Sequence, residues 1–146
     1  MLESYNFAVD IWSCAVILGE VFLKVGRKNV KEADNTQLLF HGQHCFPLSP
    51  VSKPIFDSNG LPQTKGHILE MIFEHLGTPS KAEYSFVNDD QAIAYLKKFK
   101  KHSEANLNLK FPKISEEGLN LLKYMLQFNP LLKPTAADCL AHPYFD

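Results

Sequence analysis

The run Ala8–Phe22, AVDIWSCAVILGEVF, constrains the fold of this chain more than any other stretch. Every residue in it other than Asp10, Ser13 and Glu20 is apolar or glycine. Wound at about 100° per residue, those three polar positions share a stripe roughly 80° wide, and the remaining surface is apolar. Such a helix is expected in the middle of a domain, surrounded by other elements, and Asp10 near its start then needs a partner or water. The stretch Cys14–Leu23 falls short of the roughly 20 residues that a membrane span requires. It also lies too deep, and lacks a basic leader, for a secretory signal.

The periodicity places the other elements around this helix. Its start is expected to be capped near Ser4 or Asn6 and its end to fall at about Lys24, with Gly26 in the left-handed cap conformation. From 29 to 65 the period fades, and Pro47, Pro50, Pro54 and Pro62 mark a long loop. HILEMIFEHLG restores a helix, with Ile68, Met71, Ile72 and Leu76 on one face and Gly77 as terminator. TPSKAEYSFV is a turn, and DDQAIAYLKKFKK a short helix ending in lysines. ISEEGLNLLKYMLQF carries Ser115 before two glutamates, then Leu119, Leu122 and Leu126 at helical steps. In TAADCLAHPYF, Thr135 is the expected N-cap and Asp138 its capping-box partner. No stretch alternates as a strand does, so the fold class is mainly α: one central buried helix, three or four further helices and a long loop.

At 146 residues, with 45% apolar and 21% charged side chains, the chain has the size and composition of one ordinary globular domain or part of one. A net charge of -1 and a single arginine, Arg27, argue against nucleic acid and anionic membrane as partners. Cys14, Cys45 and Cys139 are widely spaced, which fits reduced thiols in cytoplasm or nucleus rather than a disulfide framework.

Three segments together carry a resemblance: YNFAVDIWS, GHILEMIFEHLGTPS and FPKISEEGLNLLKYMLQFNPLLKPTAADCLAHPYF. In this order and at this spacing they resemble the C-terminal lobe of a eukaryotic serine/threonine protein kinase, most closely the mitogen-activated and cyclin-dependent group. The similarity covers 1–146, with 29–65 as a loop insertion within a partial kinase domain. It implies structural roles for Asp10, Trp12 and Lys133. In that family the aspartate matching Asp10 accepts hydrogen bonds from backbone N–H groups of the catalytic loop. From the residues alone, Asp10 only complements the dipole of its helix, worth about 0.3–1 kcal/mol. Lys133 stands where the family usually has an arginine paired with the glutamate of an A-P-E motif, and a lysine offers a point charge in place of a fork. Ala15 and Val16 stand where the family helix usually has glycine and cysteine.

The chain contains no G-x-G-x-x-G loop, no V-A-I-K lysine, no H-R-D and no D-F-G. Phosphoryl transfer depends on such positioning groups, so the chain alone, without N-lobe and catalytic loop, is expected to be inactive. No catalytic, cofactor-binding or metal residues are assigned. ATP and magnesium are expected only of a full-length parent, which would phosphorylate serine or threonine on proteins. The side of the Ala8–Phe22 helix that meets the catalytic loop in such a parent would then be exposed. The alternative is a short non-catalytic helical module that binds protein partners through kinase docking surfaces around His67–Leu76 and the long loop. The cluster His41, His44 and Cys45 lacks the second half of a zinc site and reads as a polar turn. Lys97–Lys101 is a solvated face. Ser49–Pro50 and Thr78–Pro79 have the form of proline-directed phosphorylation sites, with Thr78 better explained as a turn residue. Cys14 is expected to be inert packing.

Overall fold

The computed structural model describes residues 7–25, 38–40, 42, 44–45 and 64–146. The expected loop 29–65 and its four prolines, with Ser4, Asn6, Gly26, Arg27, His41 and Ser49, lie almost wholly outside the described residues. The chain divides into two compact units, one from 1–39 with 106–146 and the other 40–105. Among the described residues all regular structure is helical, apart from a single parallel bridge between His44 and His67.

In the first unit, helix α1 spans Ala8–Lys24. Phe7 occupies the N-cap, without a side-chain cap bond, and the helix stops at extended Val25. The expected cap at Ser4 or Asn6 is therefore replaced by a start immediately after Phe7. Ala8, Ile11, Ala15, Gly19 and Phe22 form the buried stripe at three- and four-residue steps. Gly19 lies under Leu39, whose Cδ2 would be 2.6 Å from a Cβ added there. Ile17 and Val21 are exposed, so among the described residues the helix is not surrounded on all sides, as its apolar composition predicts it to be. Cys14 is also exposed, which corrects its expected place as inert packing.

The remaining elements of this unit complete its core. The short α4, Leu107–Lys110, is capped by the Asn106 side chain and delivers Leu107 and Phe111 to the interior. Helix α5, Glu116–Met125, is capped by Ser115, whose hydroxyl accepts from the Gly118 N–H at 3.2 Å. Its Leu119, Leu121, Leu122 and Met125 are buried, and α1 packs against it. Each such leucine contributes about 1.5–3 kcal/mol. Phe22 meets Phe111 and Tyr144 edge to face at 6.3 and 6.0 Å. Helix α6, Ala136–Leu140, shows the capping box: Thr135 Oγ1 accepts from the Asp138 N–H, and Asp138 Oδ2 accepts from the Thr135 N–H. Hydrogen bonds from Thr135, that of the hydroxyl first, hold the Asp138 carboxyl below its usual range. After α6 the chain does not continue as one helix. His142 starts a separate 3₁₀ turn, Pro143–Phe145, with its Nδ1 accepting from the Tyr144 N–H.

The second unit is built on α2, Ile68–Leu76, and α3, Asp90–Leu96. Helix α2 ends at Gly77, whose φ of 84° is a conformation that side-chain-bearing residues rarely adopt. Its buried residues are Ile72 and Phe73, while Ile68, Met71 and Leu76 are half-buried. Asp89 caps α3 through bonds from the Gln91 and Ala92 N–H groups. Helix α3 stops at Leu96, with Lys97 as its C-cap, so the lysines follow the helix rather than end it. Beyond the break Phe99 is buried, 4% exposed, while Lys97, Lys100 and Lys101 stay in solvent.

Candidate functional site

The three residues singled out by resemblance lie in the first unit. Trp12 and Lys133 are brought together and Asp10 is not. Two helical steps, about 200°, separate Asp10 from Trp12 around α1, and Asp10 is exposed in the first turn. Lys133 is positioned by the segment after α5. There Asn129, a buried polar residue, caps the 3₁₀ turn Pro130–Leu132 by accepting from the Leu131 N–H at 2.9 Å. Pro130 fits the first position of that turn, where no N–H is required.

The turn carries Lys133 back onto the end of α5. Its Nζ donates to the Met125 carbonyl at 2.9 Å and sits 4.5 Å from the centre of the Trp12 ring. The ammonium thus meets one of the carbonyls that a helix end leaves without an intrahelical donor. It also meets the negative end of the helix dipole and the electron-rich indole face. Burial nevertheless pulls its pKa down to about 8. The folded chain therefore releases this proton before the unfolded chain does. Stability is expected to rise as pH increases from about 8 towards the ordinary lysine value of 10.5. Urea unfolding of the wild type and of Lys133→Met across that window tests this, and the rise attributable to Lys133 must be missing from the variant.

The second unit holds a ring cluster that the sequence alone does not single out. His67 is 2% exposed and caps α2, its Nδ1 accepting from the Leu69 N–H at 3.1 Å. The His44, Tyr95 and Phe99 rings meet it edge to face at 5.3, 5.7 and 5.6 Å. His44 Nε2 donates to the Lys65 carbonyl at 3.0 Å, and its Nδ1 is buried without a hydrogen-bond partner among the described residues. Burial, and then Cys45, push the Tyr95 hydroxyl above its ordinary range. The available signal for His67 is its place directly before an apolar-periodic run, an N-cap position. No group of three or more His, Cys, Asp or Glu that could hold a metal occurs among the described residues. None of their helices is long and apolar enough to cross a membrane.

Thr78 is a structural turn residue. Its hydroxyl donates to the Lys100 carbonyl at 3.1 Å and accepts from the His102 N–H at 2.9 Å, tying the end of α2 to the irregular segment after Phe99. Thr78→Val is expected to lower stability by about 1 kcal/mol, read as a fall in urea midpoint at constant slope.

No protein-family model matches the chain. Among curated proteins, it is 31% identical over 143 residues to mitogen-activated protein kinase 10 of Oryza sativa subsp. japonica, a match covering 98% of this chain and 18% of that protein. It is 30% identical to mitogen-activated protein kinase 18 of Arabidopsis thaliana, again over 98% of this chain and 18% of the relative. With extracellular signal-regulated kinase 1 of Dictyostelium discoideum it shares 28% identity over 98% of this chain and 21% of the relative. The chain spans about a fifth of the length of the curated relatives it matches.

Proposed function

We propose that this chain, 98% of which aligns with a mitogen-activated protein kinase, is a partial C-terminal lobe of that kinase type and serves as the helical scaffold of a serine/threonine kinase domain. In a full-length parent, ATP with magnesium supplies the phosphoryl group and a protein serine or threonine receives it. The groups that position ATP belong to parts of the domain that this sequence does not contain. The homology along nearly the whole chain is the observation that carries this reading. Within it, Asp10 accepts backbone N–H groups of the catalytic loop, and Trp12 with Lys133 fixes the end of α5 against α1. Segment 29–65 is an insertion within the lobe, the setting is cytoplasm or nucleus, and protein substrates and docking proteins are the partners.

By itself the chain transfers no phosphate. Incubating the purified 146 residues with labelled ATP, magnesium and a generic protein substrate is expected to leave the substrate unlabelled. Magnesium-dependent labelling that copurifies with the chain would overturn the reading. A second reading, a non-catalytic helical module that binds protein partners through docking surfaces around His67–Leu76 and the long loop, is favoured by the lack of G-x-G-x-x-G, H-R-D and D-F-G motifs in a chain whose helices are well formed. Retention of one defined protein by the immobilised chain supports it, and retention of none removes it.

A further inference from the structure

Two histidines meet at the bridge of the second unit, and the hydrogen bonds of both require an uncharged ring. The Leu69 N–H can only donate, so His67 Nδ1, which accepts it at 3.1 Å, must carry a lone pair. The Lys65 carbonyl can only accept, so the proton of the neutral His44 ring sits on Nε2, 3.0 Å away, and leaves Nδ1 bare. That Nδ1 is buried and has no hydrogen-bond partner among the described residues. The two rings lie 5.3 Å apart, edge to face, and His67 is 2% exposed. A proton on His67 Nδ1 turns the cap acceptor into a donor facing another donor, and sets a positive charge at the positive end of α2. A proton on His44 Nδ1 buries an N–H with nothing to receive it.

We propose that His44 and His67 form a proton-operated latch, which holds residues 44–45 against the start of α2 when neutral and releases them when charged. The backbone bonds it guards run from the Ile68 N–H to the His44 carbonyl at 2.9 Å and from the His44 N–H to the Gly66 carbonyl at 3.3 Å. Histidine is the side chain whose ordinary titration falls between about pH 5 and 8, and two cations held this close in a buried cluster repel each other. Of the other titratable groups around the pair, the bridge brings Cys45 and α3 brings Tyr95. Lys98 holds its Nζ 5.9 Å from the centre of the Tyr95 ring, a positive charge that adds to the cost of another nearby. Glu70, in the first turn of α2, pulls the other way, and its carboxylate is already engaged by the Gly66 N–H at 3.0 Å. The open form binds protons that the closed form excludes. The latch is therefore strongest above the ordinary histidine value of about 6.5 and weakens as pH falls through it. It lies within the second unit and does not depend on the kinase-scaffold reading.

Amide exchange of the full chain at about pH 7 and about pH 5, each rate divided by its value in an unstructured chain, tests this. One histidine kept neutral in the closed form alters an opening equilibrium by about 25-fold over that interval, and two by more. Protection of the Ile68 and Leu69 amides is therefore expected to fall at least about tenfold. Protection of Phe73, further along α2, and of Gln91, whose N–H is capped by Asp89, is expected to change by less than about threefold. His67→Asn keeps a cap acceptor that does not titrate and is expected to remove most of the fall. His44→Gln, which leaves His67 in place and keeps a donor for the Lys65 carbonyl, is expected to reduce it at least about threefold, and it decides the matter if His67→Asn does not fold. Constant protection of Ile68 and Leu69 in the wild type overturns the proposal. So does a fall shared equally by Phe73, which is acid unfolding of the whole unit, or a fall undiminished in either variant.

Discussion

Replacing Phe22 with alanine is expected to lower the unfolding free energy of the first unit by about 3–5 kcal/mol. The ring is 4% exposed and stands where α1 meets the rest of the core, in edge-to-face contact with Phe111 and Tyr144. Its neighbours on the same stripe, Gly19 and Ala15, are too small to close over the space. A cavity left beside residues that cannot collapse carries the upper part of that cost. Trp12, the single tryptophan, lies in the same unit and reports its unfolding by fluorescence. A urea midpoint displaced by less than the equivalent of about 1 kcal/mol would mean that the ring is not packed as described.

Phe73→Ala is expected to have an effect of similar size in the second unit. Phe73 is 1% exposed and meets Phe99 edge to face at 5.3 Å, and Phe99 in turn meets Tyr95 at 5.2 Å and His67 at 5.6 Å. Removing it takes away about 3–5 kcal/mol of packing, and an aromatic contact worth about 0.5–1.5 kcal/mol is included in that loss. Amide exchange within α2 is the readout, because Trp12 lies in the other unit. Protection of the Ile72 and Phe73 amides should fall by about a hundredfold or more. Unchanged protection would show that α2 is held by its caps and not by this ring.

Much of the fold is legible in the amino-acid sequence, and for local reasons. Ser115, Thr135 with Asp138, Gly77 and the Leu119, Leu122, Leu126 steps each act within a few residues, so their chemistry is written at short range. The positions where the structure departs from expectation depend on what lies across space. Cys14 and Ala15 are adjacent and both small and apolar, yet only Ala15 is buried; nothing in a uniformly apolar helix says which face finds a partner. The break after Leu96 falls among good helix formers, with no local stop signal to mark it. Of the candidate site, resemblance points to Trp12 and Lys133, but not to the Met125 carbonyl that orients the ammonium. His67 has the look of an ordinary helix start, because His44, Tyr95 and Phe99 make it a core residue only when they arrive together.

The bridge at His44 and His67 has a consequence for chain length. Ile68 N–H donates to the His44 carbonyl at 2.9 Å, His44 N–H to the Gly66 carbonyl at 3.3 Å and the His44 ring to that of Lys65, so the two sides of 45–66 are clamped side by side. Once its ends are held, a connecting segment contributes mainly through closure entropy, which grows only with the logarithm of its length. Doubling it costs about 0.6 kcal/mol. The cost of closing the chain between the clamp points therefore changes little with its length, and the clamp itself sets the starting residue and register of α2.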